Sequence, residues 1–142
     1  MDVNDFKSLC KDVVAAPELQ PAPDGSVTHC NQGLTRIAAE FGVGDFEGKM
    51  ANQLIDHIAA HPQWTACTDE EAWDWAMQGK LAIACVKEAV HGHVATIYPA
   101  EKVASGKWGK SVPQVANVGK KNDIFGENFA FHEPPQHFKY LG

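Results

Sequence analysis

Residues 79–98 read Gly79-Lys80-Leu81-Ala82-Ile83-Ala84-Cys85-Val86-Lys87-Glu88-Ala89-Val90-His91-Gly92-His93-Val94-Ala95-Thr96-Ile97-Tyr98, and the hydrophobic period changes inside this stretch. Leu81 to Val86 is an unbroken apolar run of strand length bounded by Gly79, which suits a central strand buried on both faces. Gly92 opens a second run, His93 to Tyr98, stopped by Pro99. Downstream, a loop with Gly106, Trp108 and Gly109 leads to a third strand, Val112 to Val118. Asn128 to Phe131 and Phe138 to Leu141, on either side of Pro134-Pro135, read as further strands with a less regular pattern.

Upstream of Gly79 the apolar spacing is helical. Phe6, Leu9, Cys10, Val13 and Val14 form one stripe over residues 4–16, ended by Pro17. A loop rich in proline follows, from Pro17 to Asp24-Gly25. The next helix starts near Thr28–Cys30 and runs to Phe41, with Leu34, Ile37, Ala38 and Phe41 inward and Gly42 ending it. Lys49 to His61 predicts a third helix with Met50, Leu54, Ile55 and Ile58 inward, closed by Pro62. A fourth begins at Thr68, where Glu71 completes a capping-box pattern, presents Trp73, Ala76 and Met77, and ends at Gly79. Helices first and strands after predict an α+β fold, with the helices packed on an antiparallel sheet of about five strands.

The chain's 142 residues fit one domain. With 12 Lys plus Arg against 18 Asp plus Glu, and Arg36 the only arginine, a nucleic-acid partner is not expected. No apolar run is long enough for membrane insertion, and the acidic start Met1-Asp2-Val3-Asn4-Asp5 lacks the pattern of a secretory signal. The expectation is a chain made in the cytoplasm with reduced thiols. Cys10, Cys30, Cys67 and Cys85 lie far apart with no CxxC pair, which argues against zinc-ribbon and thioredoxin-type chemistry.

Cys30 differs from the other three in its place. It falls in the first turn of its helix, on the face shared with Leu34 and Ile37, where unpaired N–H groups and the helix dipole favour thiolate. An imidazole reaching that sulfur would complete a nucleophile–base pair. His93, opening a central strand after Gly92, is the candidate base, and Asn117 on the following strand is the candidate to orient it. His91 competes with His93, since residues two apart on a strand share a face. The alternatives are a buried structural thiol, a satisfied core histidine and an ordinary strand asparagine. Cys10, Cys67 and Cys85 read as core or incidental thiols.

Thr28-His29-Cys30-Asn31-Gln32 opening an amphipathic helix, with Gly92-His93-Val94-Ala95 opening a strand, resembles the NlpC-like cell-wall hydrolases, in particular compact phage-related lysins and type VI secretion amidase effectors. Met50 to Leu54, Trp64, Ala72 to Ala84 and Val115-Ala116-Asn117-Val118-Gly119 extend the resemblance over roughly residues 26–141. It implies a single papain-like domain over residues 1–142 and a cysteine peptidase or amidase that cuts an amide bond in the peptide part of peptidoglycan. Cys30 would be the nucleophile, His93 the base and then the acid, and Asn117 the orienting residue. No cofactor is implied. Such a protein would be a monomer acting in the periplasm or cell wall, delivered by a secretion or lysis partner and held in check by a cognate inhibitor.

One departure concerns the oxyanion. Papain-type enzymes often place a glutamine ahead of the cysteine, whereas Asp24 occupies that region here and would repel the developing charge. The N–H of Cys30, with His29 or Asn31 as second donor, is the expected replacement. A metal centre on His91, His93, His132 and His137 is disfavoured by the spacing. An inactive peptidoglycan-binding module is the reading from another class. Trp64, Trp73 and Trp75 read as packing, Trp108 as packing or as the wall of a groove, and Asn52 and Asn122 as polar positions without an assigned role.

Overall fold

The computed structural model describes every residue from Met1 to Gly142. Its elements are α1 (Val3–Ala15), a short 3-10 turn (Pro17–Leu19), α2 (Cys30–Ala39), α3 (Ala51–Ala60), β1 (Trp64–Cys67), α4 (Asp69–Met77), β2 (Ala82–Val86), β3 (His93–Ser105), β4 (Lys110–Asn117), β5 (Asp123–Gly126), α5 (Glu127–Ala130) and β6 (Gln136–Tyr140). The fold is a single α+β domain with five helices and one six-stranded antiparallel sheet.

The apolar runs read as central strands do lie centrally. The sheet order is β1-β6-β2-β3-β4-β5, with Ala82, Ile83, Ala84 and Cys85 fully buried in β2. Strand count is the main correction, six against about five. β1 and β5 escape the hydrophobic pattern because each is four residues long, sits at an edge and is largely half-exposed. Asn128 to Phe131 is not a strand: Glu127–Ala130 forms one helical turn, capped by Phe131. β3 also runs through Pro99 to Ser105, with a register break between Tyr98 and Val103 that absorbs the missing proline N–H.

The helices follow their stripes. Phe6, Cys10 and Val13 of α1, Leu34, Ile37 and Ala38 of α2, and Leu54, Ile55 and Ile58 of α3 join Ile83, Ile97 and Val115 of the sheet in one core. At α4 the capping box forms, with Glu71 N–H donating to Thr68 Oγ1 at 3.1 Å and Thr68 N–H to Glu71 Oε1 at 3.0 Å. Met50 and Met77, expected inward, are 57% and 37% exposed. Met50 is the N-cap of α3 and precedes its buried stripe, and Met77 ends α4, whose core contacts come from Ala72 and Ala76.

α2 packs on β3 and reaches the end of β4 closely. A Cβ on Gly33 would come within 2.6 Å of Val118 Cγ2, so only glycine lets the first turn of α2 approach the sheet this way. That turn carries Cys30.

Candidate active site

Cys30 is the first residue of α2, and its N-cap His29 makes no side-chain cap. The first intrahelical-type bond runs from Gly33 N–H to His29 O at 2.9 Å, so the N–H groups of Cys30, Asn31 and Gln32 have no backbone acceptor. A serine or aspartate cap would have occupied them. The N–H groups of Val94, Asn31 and Cys30 itself face the Cys30 sulfur. None of the other three thiols has such donors: burial alone pushes Cys10 and Cys85 up to about 12, and Cys67 reaches about 11 by burial with Glu71 and Asp69 adding to it.

The electrostatic expectation for Cys30 is nonetheless corrected. Burial raises its thiol above the ordinary value, and the three N–H donors oppose that only in part. Cys30 is 9% exposed, and desolvating the charged form outweighs the helix terminus. The resting residue is therefore a thiol, and nucleophilic chemistry there requires a base.

His93, the candidate base, opens β3. Its Nε2 lies 2.6 Å from Asn117 Oδ1, while Asn117 Nδ2 donates to Lys121 O at 2.8 Å. The second bond fixes which way the amide points, so the atom facing His93 is an acceptor. Nε2 must then carry the proton, and Nδ1 keeps the lone pair. Burial holds His93 below the ordinary histidine value, against the opposing effects of Asn117 and the Glu88 carboxylate, so the ring is neutral at neutral pH. Phe131 packs on the imidazole with centroids 5.1 Å apart, and Gly119 lies against its Cε1 edge. No hydrogen bond joins Cys30 to His93. The sulfur faces the N–H of Val94, one residue further along the chain.

The two asparagines without an assigned role clamp the loops on either side of this imidazole. Asn52 Nδ2 donates to Glu88 O at 2.7 Å and its Oδ1 accepts from Glu88 N–H at 3.3 Å, which ties α3 to the loop leading into β3. A Cβ on Gly92 would meet that Oδ1 at 2.2 Å, which accounts for the glycine before His93. Asn122 Oδ1 accepts from Gly119 N–H at 2.9 Å, and its Nδ2 donates to Leu19 O at 2.7 Å.

Other singled-out residues lie elsewhere. His91 and His132 are exposed, and His137 pairs with Glu127, so these do not converge with His93. Asp24 stays in its own turn, accepting from Ser26 N–H at 2.9 Å. Trp73 and Trp75 donate to Ala100 O and Tyr140 O, and Trp64 stacks on Phe46, all as packing groups. Trp108 lines a cavity of about 320 Å³ with Cys67, Asp69, Lys110, Glu127 and His137, but neither Cys30 nor His93 borders it. Glu127 escaped the sequence reading, which took His137 only as a disfavoured metal ligand. Their bond, 2.8 Å between side chains 2% and 6% exposed, anchors α5 and with it Phe131.

Neither the protein-family models nor the curated proteins searched give a match to this chain.

The buried imidazole has a measurable consequence. The folded chain binds the His93 proton less readily than the unfolded chain, whose value is 6.5. As pH falls, the unfolded state takes up this proton first, so the stability tied to neutral His93 is whole above that value. It declines below it until the folded ring itself titrates. Thermal melts from about pH 7.5 to 5 should fall more steeply in wild type than in His93→Gln. Parallel curves would refute the assignment.

Proposed function

We propose that this chain is a cysteine hydrolase of the papain-like, NlpC type that cleaves an amide bond in the peptide part of peptidoglycan. The observation that carries the reading is the Lys121–Asn117–His93 relay of hydrogen bonds, which leaves Nδ1 as a neutral base one residue before Val94, whose N–H faces the sulfur of the helix-leading Cys30. The substrate class rests on the resemblance of the Cys30 and His93 segments to cell-wall hydrolases. On this reading the protein acts in the cell wall or periplasm after release by a secretion or lysis partner.

The chemistry follows from the protonation states. His93 Nδ1 takes the Cys30 proton as sulfur attacks the carbonyl carbon, and a C–S bond forms while the carbonyl π electrons move to oxygen. The uncapped N–H groups at the start of α2 are the oxyanion donors, which answers the unsuitability of Asp24 for that task. Collapse expels the amine, which receives the proton from Nδ1. Water, deprotonated by the same nitrogen, then attacks the thioester and releases the acid and the free thiol. Because the resting thiol is neutral, proton removal and attack are coupled, and no preformed ion pair is invoked.

Purified sacculi digested with wild type beside Cys30→Ala, with products read by mass spectrometry, test this. Wild type should release muropeptides with one new amine and one new carboxyl terminus, and the variant should release none. Equal release by both, or none by wild type, overturns hydrolysis at Cys30. The burial of Cys30 favours one second reading, a module that binds peptidoglycan without turnover. Retention of the wild-type protein on sacculi with no product would select it.

A further inference from the structure

His57 and His61 lie four residues apart at the end of α3, so their rings project from one side of the helix. Asp45, in the connection between α2 and α3, meets both. Its Oδ2 is 2.7 Å from His57 Nε2 and 3.7 Å from His61 Nε2, and the three ligating atoms lie within 4.8 Å of one another. Phe46 is fully buried and sets its ring at 87° to that of His57, 6.0 Å between centroids, which backs the cluster with a rigid wall. The side chains of His57, His61 and Asp45 are 26%, 24% and 47% exposed, so the outer side of the cluster is open to water.

We propose that Asp45, His57 and His61 form a binding site for a divalent transition-metal ion of the zinc class. Two imidazoles with one carboxylate suit Zn2+, Co2+ or Ni2+, whereas Mg2+ and Ca2+ call for oxygen ligands throughout. Bonds of 2.0–2.2 Å in a tetrahedral shell separate ligand atoms by roughly 3.3 Å. The observed 2.7 and 3.7 Å straddle that value and no pair exceeds 4.8 Å, so side-chain shifts of about 1 Å or less bring Oδ2 and the two nitrogens to one centre. Water completes the shell from the open side.

Binding also requires a change of tautomer. His57 donates from Nε2 to Asp45, and His61 accepts Gln63 N–H on Nδ1 at 3.1 Å, so both rings carry their proton on Nε2. The metal takes the Nε2 lone pair. Each ring then gives up that proton to water and gains one on Nδ1, with no net release. The Gln63 contact opens in exchange, at an exposed turn where water replaces it. The bound ion ties the α2–α3 connection to the end of α3. The inference stands independently of the hydrolase reading, since it uses none of the same residues.

The test uses the full chain carrying Cys30→Ser, which removes the helix-leading thiol as a competing ligand. Titration with Zn2+ at about pH 7.5 should give one site per chain and a rise in Tm. Asp45→Asn and His57→Gln, each checked for folding by circular dichroism, should weaken binding on the order of 10-fold or more, and His132→Gln should leave it unchanged. Co2+ should show the visible absorption of a nitrogen–oxygen shell, absent in His57→Gln. Failure of Zn2+ to bind, or binding that survives Asp45→Asn and His57→Gln together, overturns the proposal.

Discussion

Alanine at Cys30, at His93 or at both is expected to leave the same residual hydrolysis, roughly 10³-fold or more below wild type. In the proposed mechanism the sulfur and the imidazole act as one unit: the thiol is neutral at rest, so Cys30 without a base is a weak nucleophile. His93 without the sulfur has no acyl acceptor to serve. Removing the second partner therefore costs little once the first has gone. Asn117→Ala should cost less than His93→Ala, because Phe131 and Gly119 still confine the ring. Its loss should appear in kcat and in a shifted pH profile, since the Nε2–H bond that sets the tautomer is gone. Cleavage of a muropeptide analogue by all four variants, followed in kcat and across pH, measures this. A His93→Ala variant within a few-fold of wild type would sink the assignment, and so would losses that multiply in the double variant.

The second large effect concerns stability. Glu127→Ala is expected to lower Tm by about 10–15 °C, since stripping one partner from a buried pair costs about 3–5 kcal/mol. His137 would be left buried at 6% exposure with its hydrogen bond lost. The local result should be larger still, because α5 is one turn long and Phe131 N–H bonds back to Glu127 O at 3.0 Å. Loosening that turn withdraws Phe131 from His93, so the variant should also lose activity at temperatures where it remains folded. Glu127→Gln keeps the acceptor and should retain most of both. Differential scanning calorimetry with a parallel activity assay checks the pair. A Tm within about 3 °C of wild type in Glu127→Ala would show that the bond is not the anchor.

What could be read from the amino acids was set by how local each signal is. The four long helices announce themselves by period, cap and stop residues, β2 by its unbroken apolar run, and β3 and β4 by the strand-length segments His93–Tyr98 and Val112–Val118. β1 and β5 carry no such run, because an edge strand of four residues needs little buried surface. Asn128 to Phe131 imitates a strand by alternating two phenylalanines, but Phe129 is 74% exposed and Phe131 turns inward as a helix cap. Cys30, His93 and Asn117 were legible as residue types at element boundaries. The state of the thiol was not, because the dipole at a helix start is a local property and the burial opposing it is tertiary. Asn122 illustrates the same limit, since its partner Leu19 lies at the other end of the chain.

The position of β6 carries a consequence for how the molecule assembles. This strand is synthesised after the other five, yet it lies between β1 and β2, pairing Trp64 with Tyr140 and Ala84 with His137. Until residues 136–140 arrive, β1 has no neighbour and β2 shows an open edge. Closure of so long a loop is slow compared with the hairpin of β3 and β4, which needs only local contacts. His137, brought by the same strand, completes the anchor of Glu127 and so sets Phe131 on His93. The imidazole thus gains its final environment in the same late event that closes the sheet. On the proposed function, a nascent chain would remain inert towards amide bonds until β6 docks.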